Sequence, residues 1–306
     1  MKTKIALMTV VLACAGCATT GLNVPGVDLS GLGSAISSSG ADAGKFGSLG
    51  TLVQSGQKLK DATTDLSEEQ EIALGQGIAS NLLGAAPLLP NRKVQHYVNQ
   101  VGRWLASQTE RPDLPWQFAV LDDNGINAFA VPGGSIFITR GLLARMKNEA
   151  ELAGVLAHEI AHVLKKHHLQ AIKKSAGASL FADIGGQALA AKTGVNSALA
   201  GNIAGAFKEV YARGLDKNDE FEADRMGVVI AARAGYEPYG LPAVLQMMQV
   251  FSPQDSGFAL MFKTHPPLAD RLDLLDKLMS SSFERFERQP ALAPRFVTTS
   301  GNSSKP

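Results

Sequence analysis

Apolar positions along the chain change character at Ser67. Before that point, from Ala18 to about Asp65, Gly, Ser and Thr dominate and apolar residues recur with no period, which reads as a tether rather than a domain. At most, Phe46 to Leu59 carries a short helical stretch. From Ser67 the pattern becomes helical. Ser67-Glu68-Glu69-Gln70 has an N-cap serine with glutamine at the capping-box position, and apolar residues follow at helical spacing to about Leu83. Pro87 and Pro90 end that run. A second helix is predicted from Arg92 to Ser107, with Val94, Val98, Val101 and Leu105 on one face.

Three short strand signals come next. Gln117 to Leu121 alternates weakly, and Asn127 to Val131 and Ser135 to Thr139 flank the turn residues Pro132-Gly133-Gly134. A hairpin, or two strands with a tight connection, is expected. Helical patterns then start near Asn148 and near Glu220, with later helices over Pro238–Val250 and Leu268–Met279. The expected architecture is α+β, mostly helical, with a small β-sheet or hairpin beside the helix that begins near Asn148. Its domain covers residues 66–283, and the polar, proline-containing tail 284–306 is expected to be loose.

The N-terminus reads as an address. Lys2 and Lys4 precede a short apolar run from Ile5 to Ala13, too short to span a bilayer comfortably, followed by Ala13-Cys14-Ala15-Gly16-Cys17. Gly16-Cys17 resembles a bacterial lipobox, which makes residues 1–17 a lipoprotein signal and Cys17 the acylated first residue of the mature chain. Cys14 is a weaker second candidate, and a plain signal peptide is the simpler alternative. Both cysteines lie in this leader, so the folded part has neither a disulfide framework nor a thiolate metal site. A formal net charge of +1 gives no electrostatic reason to expect a nucleic-acid partner.

The chemistry sits in the helix near Asn148, as His158-Glu159-Ile160-Ala161-His162. Histidines four apart differ by about 40° around a helix and by about 6 Å along it, so both rings can face one ion. Neutral imidazole suits Zn²⁺. Glu159 projects beside that position, where it can take a proton from a metal-bound water and pass it to a leaving amine. Surface histidines on a solvated helix are the bland alternative, but this helix is apolar, and unliganded buried histidines are unfavourable there.

A catalytic zinc commonly has three protein ligands and an open position. His168 has the metzincin spacing, but Lys165 stands where that pattern needs glycine. On a continuing helix His168 would lie about 15 Å along the axis from His158, out of reach. The run Lys165-Lys166-His167-His168 reads better as a basic helix end. The other candidate is Glu220 within Glu220-Phe221-Glu222-Ala223-Asp224, where Asp224 falls on the same helical face and can orient a ligating histidine. Taken alone, this segment is equally an acidic stripe on a solvated helix.

The ordered set His158-Glu159-x-x-His162, Glu220-x-x-x-Asp224, Thr264-His265-Pro266-Pro267 and Arg271, with Asn127-Ala128-Phe129-Ala130-x-Pro132-Gly133-Gly134 upstream, resembles the HtpX/CAAX-prenyl-protease family of zinc metallopeptidases over roughly residues 66–280. The resemblance implies a gluzincin metallopeptidase fold and one Zn²⁺ held by His158, His162 and Glu220. It also implies Glu159 as the catalytic base, with Asp224 and Arg271 supporting the ligands. Integral-membrane members have spans around the catalytic helices. Here the longest uncharged run nearby, Thr193–Phe207, is too short and too rich in Gly and Ala, so the chain looks more like the soluble periplasmic lipoprotein (BepA/LoiP-like) branch.

The leading expectation is therefore an endopeptidase for misfolded or stalled cell-envelope proteins, lipid-anchored on the periplasmic side of the outer membrane, with unfolded proteins or peptides as its partners. A chaperone or assembly factor for outer-membrane proteins with latent protease activity is the alternative, and a peptidoglycan-directed zinc hydrolase a third. His265 has two open uses, as a donor to the developing oxyanion or as a cap on the open zinc position, besides the plain reading of an exposed turn. The resemblance favours the cap. The Ala/Gly-rich segment from Ser175 to Ala206 reads as a pair of close-packed helices, with a lid or membrane-facing surface as alternatives.

Overall fold

The computed structural model describes residues 66–176, 209–251, 265–286 and 288–300. All of them lie in the compact unit Ser55–Pro306. The leader with Cys14 and Cys17, the 18–65 tether, Thr264 and the 177–206 part of the Ala/Gly-rich segment fall outside the described residues.

Helix α1 (Glu68–Ala85) begins at the expected capping box. Ser67 Oγ accepts from the Gln70 N–H at 3.3 Å, and Gln70 Oε1 accepts from the Ser67 N–H at 2.9 Å. Helix α2 (Arg92–Ala106) is capped by Asn91 and buries the predicted face of Val94, Val98, Val101 and Leu105. Strands β1 (Gln117–Leu121), β2 (Ala128–Val131) and β3 (Ser135–Thr139) form one sheet in the order β1-β3-β2. β2 and β3 are an antiparallel hairpin, whereas β1 joins β3 in parallel. The hairpin turn needs its glycines: Gly133 and Gly134 have φ of 79° and 99°, where a side chain is strained. A Cβ on Gly133 would also come within 2.6 Å of Ile72 Cα, so the turn lies against α1.

The sheet is buried on both faces, which explains the weak alternation of its strands. Phe118, Val120, Ala130, Ile136 and Ile138 face the main core, while Leu121, Phe129, Val131 and Phe137 join a second core with Leu74 and Ile78 of α1. After the short α3 (Arg140–Leu143), helix α4 (Glu149–Leu164) runs through the middle of the molecule with every residue buried. Around it pack α2, β2, α6 (Lys217–Arg233) and α7 (Gly240–Met248). Helix α8 (Leu268–Ser282) closes against α6 and α7. Among the described residues no helix is long and apolar enough to cross a membrane.

Two expectations need correction. The run Lys165-Lys166-His167-His168 is not one basic helix end, and the continuing helix used to put His168 out of reach is not there. The helix carrying the histidine motif ends at Leu164, Lys166 takes a left-handed φ of 56°, and a separate α5 (His167–Ala176) follows. The tail is also not loose where it is described. A 3₁₀ turn (Glu284–Phe286) and α9 (Ala293–Ser300) follow α8, and Phe296 is 0% exposed in the main core. A helix of two turns has no stability of its own, so only the partner surface reveals it.

Candidate active site

Helix geometry and one close helix contact build the site. His158 and His162 share a face of α4, and α6 packs against the α4 backbone at Gly227, where a Cβ would lie 3.0 Å from the His158 backbone nitrogen. The approach delivers Glu220, in the first turn of α6, to both rings. His158 Nε2 and His162 Nε2 lie 3.0 Å apart, with Glu220 Oε2 3.7 Å from the first and Glu220 Oε1 3.6 Å from the second. Donors around a tetrahedral zinc at 2.0–2.1 Å are separated by roughly 3.3 Å, so this set has the span of a metal site. Glu220 Oε2 is buried and accepts no hydrogen bond among the described residues, and Arg271 Nη1 comes only to 3.9 Å of it, so the oxygen is left able to take a further cation. Among the described residues these three form the one cluster able to hold a metal ion.

The flanking groups set the charge of the carboxyls and of the His162 ring. Asp224 Oδ1 stands 3.0 Å from His158 Nδ1, on the ring edge away from the converging donors. Arg271 grips Asp224 twice, Nε to Oδ2 at 2.8 Å and Nη2 to Oδ1 at 2.6 Å. Burial alone would raise the Asp224 carboxyl, but Arg271 and His158 override it and hold it well below the usual carboxylate range. Burial, with the rings of His158, His168 and His167, holds the His162 pKa far below its ordinary value and keeps the ring neutral. Glu159 differs: burial, reinforced by the charge of Glu220, pushes its carboxyl up to about 8 against Arg271 and a backbone hydrogen bond from Ala130.

Glu159 lines two adjoining hollows. One is lined by Ala128, Phe129, His162, His168, Tyr211 and His265, and the other by Asn127, Val155, His158, Leu245, Met248 and Arg271; both include Glu159. Ala128, on the edge strand β2, and His265 border both hollows, so the cleft passes along that strand. His265 Nε2 lies 3.6 Å from Glu220 Oε2, with its side chain 20% exposed. The reading of His265 as an exposed turn residue does not hold.

His168 is a mixed outcome. It is absent from the metal cluster, as expected, but not because helix geometry carries it away. The break at Lys166 turns it back, its ring centroid lies 5.4 Å from that of His162, and burial holds it neutral with a pKa of about 3. Three more residues stand at the site: Tyr211, which the sequence did not single out, Asn127, known only as part of the upstream motif, and His167, read only as part of a basic helix end. Asn127 Nδ2 donates to the Tyr211 hydroxyl above Phe129, and His167 touches His162. No sequence signal marks His167, because a left-handed lysine looks like any other lysine.

A buried His-His-Glu donor set beside a carboxyl, opening on a cleft along a strand edge, is the arrangement of a metallopeptidase. Residues 92–279 match the family model for peptidase family M48. The chain belongs to that family and carries its metallopeptidase domain. It is 32% identical over 216 residues to the beta-barrel assembly-enhancing protease of Yersinia pestis, a match covering 69% of this chain and 44% of the relative. It is 30% identical to the protein of that name from Escherichia coli K12 over the same shares. The mitochondrial metalloendopeptidase OMA1 of Schizosaccharomyces pombe is 28% identical over 187 residues, 59% of this chain and 52% of that protein. The chain thus spans about half the length of these relatives, or less.

Proposed function

We propose that the protein is a zinc-dependent endopeptidase acting on misfolded or stalled cell-envelope proteins. The observation that carries this reading is the convergence of His158, His162 and Glu220 on one point, with Glu159 beside it in the cleft. His158, His162 and Glu220 would hold the zinc, for which the donor set and its spacing fit. When bound, zinc supplies a Lewis acid that polarises the scissile carbonyl and activates water for attack. Glu159 takes the proton of the attacking water and hands it to the leaving nitrogen. Asp224, fastened by Arg271, keeps the proton of His158 on Nδ1 and leaves Nε2 free for the ion. The β2 edge offers backbone groups to an extended substrate, which suits unfolded rather than folded chains. Replacing Glu159 with Gln and following cleavage of casein tests the reading: cleavage stops while zinc stays bound. Near-wild-type turnover in that variant removes Glu159 from the role of base.

The proposed location is the periplasmic side of the outer membrane, with the domain tethered through an acylated Cys17. The leader pattern and the similarity to beta-barrel assembly-enhancing proteases support it. Intact-mass and N-terminal peptide analysis of the mature protein should find lipid on Cys17; a free N-terminus elsewhere, or acylated Cys14, refutes it.

A second reading, an assembly factor for outer-membrane proteins whose protease is latent, is favoured by one distance. His265 Nε2 stands 3.6 Å from Glu220 Oε2, close enough for its imidazole to compete for the position a substrate carbonyl needs.

A further inference from the structure

The two histidines of the motif are supported differently, and the difference exposes a residue with no assigned role. His158 has a carboxylate directly behind it, Asp224 at 3.0 Å. His162 has none. Behind it stands another imidazole: His167 Nδ1 lies 2.9 Å from His162 Nδ1. On its far side His167 Nε2 faces two carboxylates, Glu222 Oε2 at 3.4 Å and Asp219 Oδ1 at 3.7 Å, and Glu222 is held in turn by Lys165 Nζ at 2.7 Å. His167 is 2% exposed.

With His162 Nε2 turned to the ion, one set of tautomers satisfies this row. For His162 to present a lone pair at Nε2, its proton must sit on Nδ1 and be donated to His167. His167 must then accept at Nδ1 and carry its own proton on Nε2. That is the edge facing Glu222 and Asp219, both acceptors. The carboxylates therefore select the tautomer of His167 that selects the ligating tautomer of His162. The fold goes out of its way to build the row. On a continuing helix a residue five positions after His162 would point about 140° away from it. The end of α4 at Leu164 and the left-handed Lys166 turn the chain so that the first residue of α5 faces back toward the site.

We propose that His167 is a positioning residue for the metal, a relay through which Glu222 and Asp219 orient His162. The proposal rests on the reading of His158, His162 and Glu220 as zinc ligands. It predicts that the two amide replacements of His167 behave differently. Asn places its amide oxygen near the position of Nδ1 and can still accept from His162, while Gln places its amide near Nε2 and cannot.

The test uses the full chain, with the zinc dissociation constant measured by competition against a chromogenic chelator and the ligand field read from the visible bands of the cobalt-loaded protein. Thermal unfolding of the zinc-free variants checks that they fold. His167→Gln should weaken zinc binding by about 10–100-fold and shift the cobalt bands, the range typical for losing an outer partner of a metal-bound histidine. It should lower kcat more than it raises KM. His167→Asn should restore most of the affinity and the wild-type bands. Glu222→Leu, at a half-exposed site, should give a smaller loss in the same direction and carries the test if the Gln variant does not fold. Wild-type affinity and bands in His167→Gln, or an Asn variant no better than Gln, overturns the proposal. Failure of the wild-type chain to bind zinc is a different result, and it overturns the metallopeptidase reading beneath the proposal.

Discussion

A buried carboxylate stands at each end of α4, Glu149 of its own first turn at one end and Glu220 of α6 against its histidines at the other, and the two are put to opposite uses. At the N-terminal end Glu149 is 0% exposed, yet both of its oxygens are satisfied. Tyr97 donates to it at 2.7 Å, Tyr236 at 2.8 Å, and Arg295 of α9 pairs with it through Nε and Nη2. At the other end Glu220 is as deeply buried but keeps Oε2 without a hydrogen bond among the described residues, 3.7 Å from a histidine nitrogen. The first network is closed by protein donors and fastens the C-terminal helix to the core. The second is left open toward one point. A buried carboxylate therefore marks a site not by its depth but by what the protein withholds from it.

Variants at the two ends should separate these uses. The largest effect is expected at Glu159, where Gln should remove at least about 10²–10⁴-fold of casein cleavage, the usual share of a positioned base, without loss of zinc. Next is Glu220→Gln, which should lose zinc to dialysis against a mild chelator, whereas His168→Ala should keep it. Loss of zinc from the His168 variant alone would return His168 to the ligand set.

At the structural end Glu149→Ala should leave zinc affinity unchanged and cost about 3 kcal/mol of unfolding free energy, because two buried tyrosine hydroxyls lose their acceptor. Its pH signature follows from direction. Burial would raise the Glu149 carboxyl, but the bonds from Arg295, Tyr97 and Tyr236 bring it below its ordinary value. The stabilisation is then fully present above the ordinary carboxylate range and lost as pH falls through the lowered value. Urea midpoints of wild type and Glu149→Gln should converge in acid; a gap that stays constant with pH breaks the comparison. The smallest effect is expected from His265→Ala, a several-fold rise in casein cleavage if His265 caps the metal. Lower cleavage would assign it to the oxyanion instead.

How much of this could be read along the chain depended on the range of each interaction. The capping box at Ser67 and Gln70, the buried face of α2 and the Gly133-Gly134 turn are local, and their residues state them. So is the pairing of His158 with His162, because four residues on a helix fix two side chains relative to each other. Glu220 and Asp224 are legible as a pair on one face, but taken alone they are equally a solvated acidic stripe; only the ordered motifs of the resemblance point to them as partners of the histidines, since a helix does not announce what it packs against.

Tertiary structure decided the rest. It set β1 beside β3 in parallel, turned His167 and His168 back at Lys166, brought His265 within 3.6 Å of Glu220, and drew Phe296 into the core from a tail that looks polar. Each joins groups far apart in the chain, or relies on a backbone angle that lysine rarely adopts. No residue-by-residue preference encodes such choices; they follow from which arrangement buries the apolar surface while leaving the fewest polar groups alone.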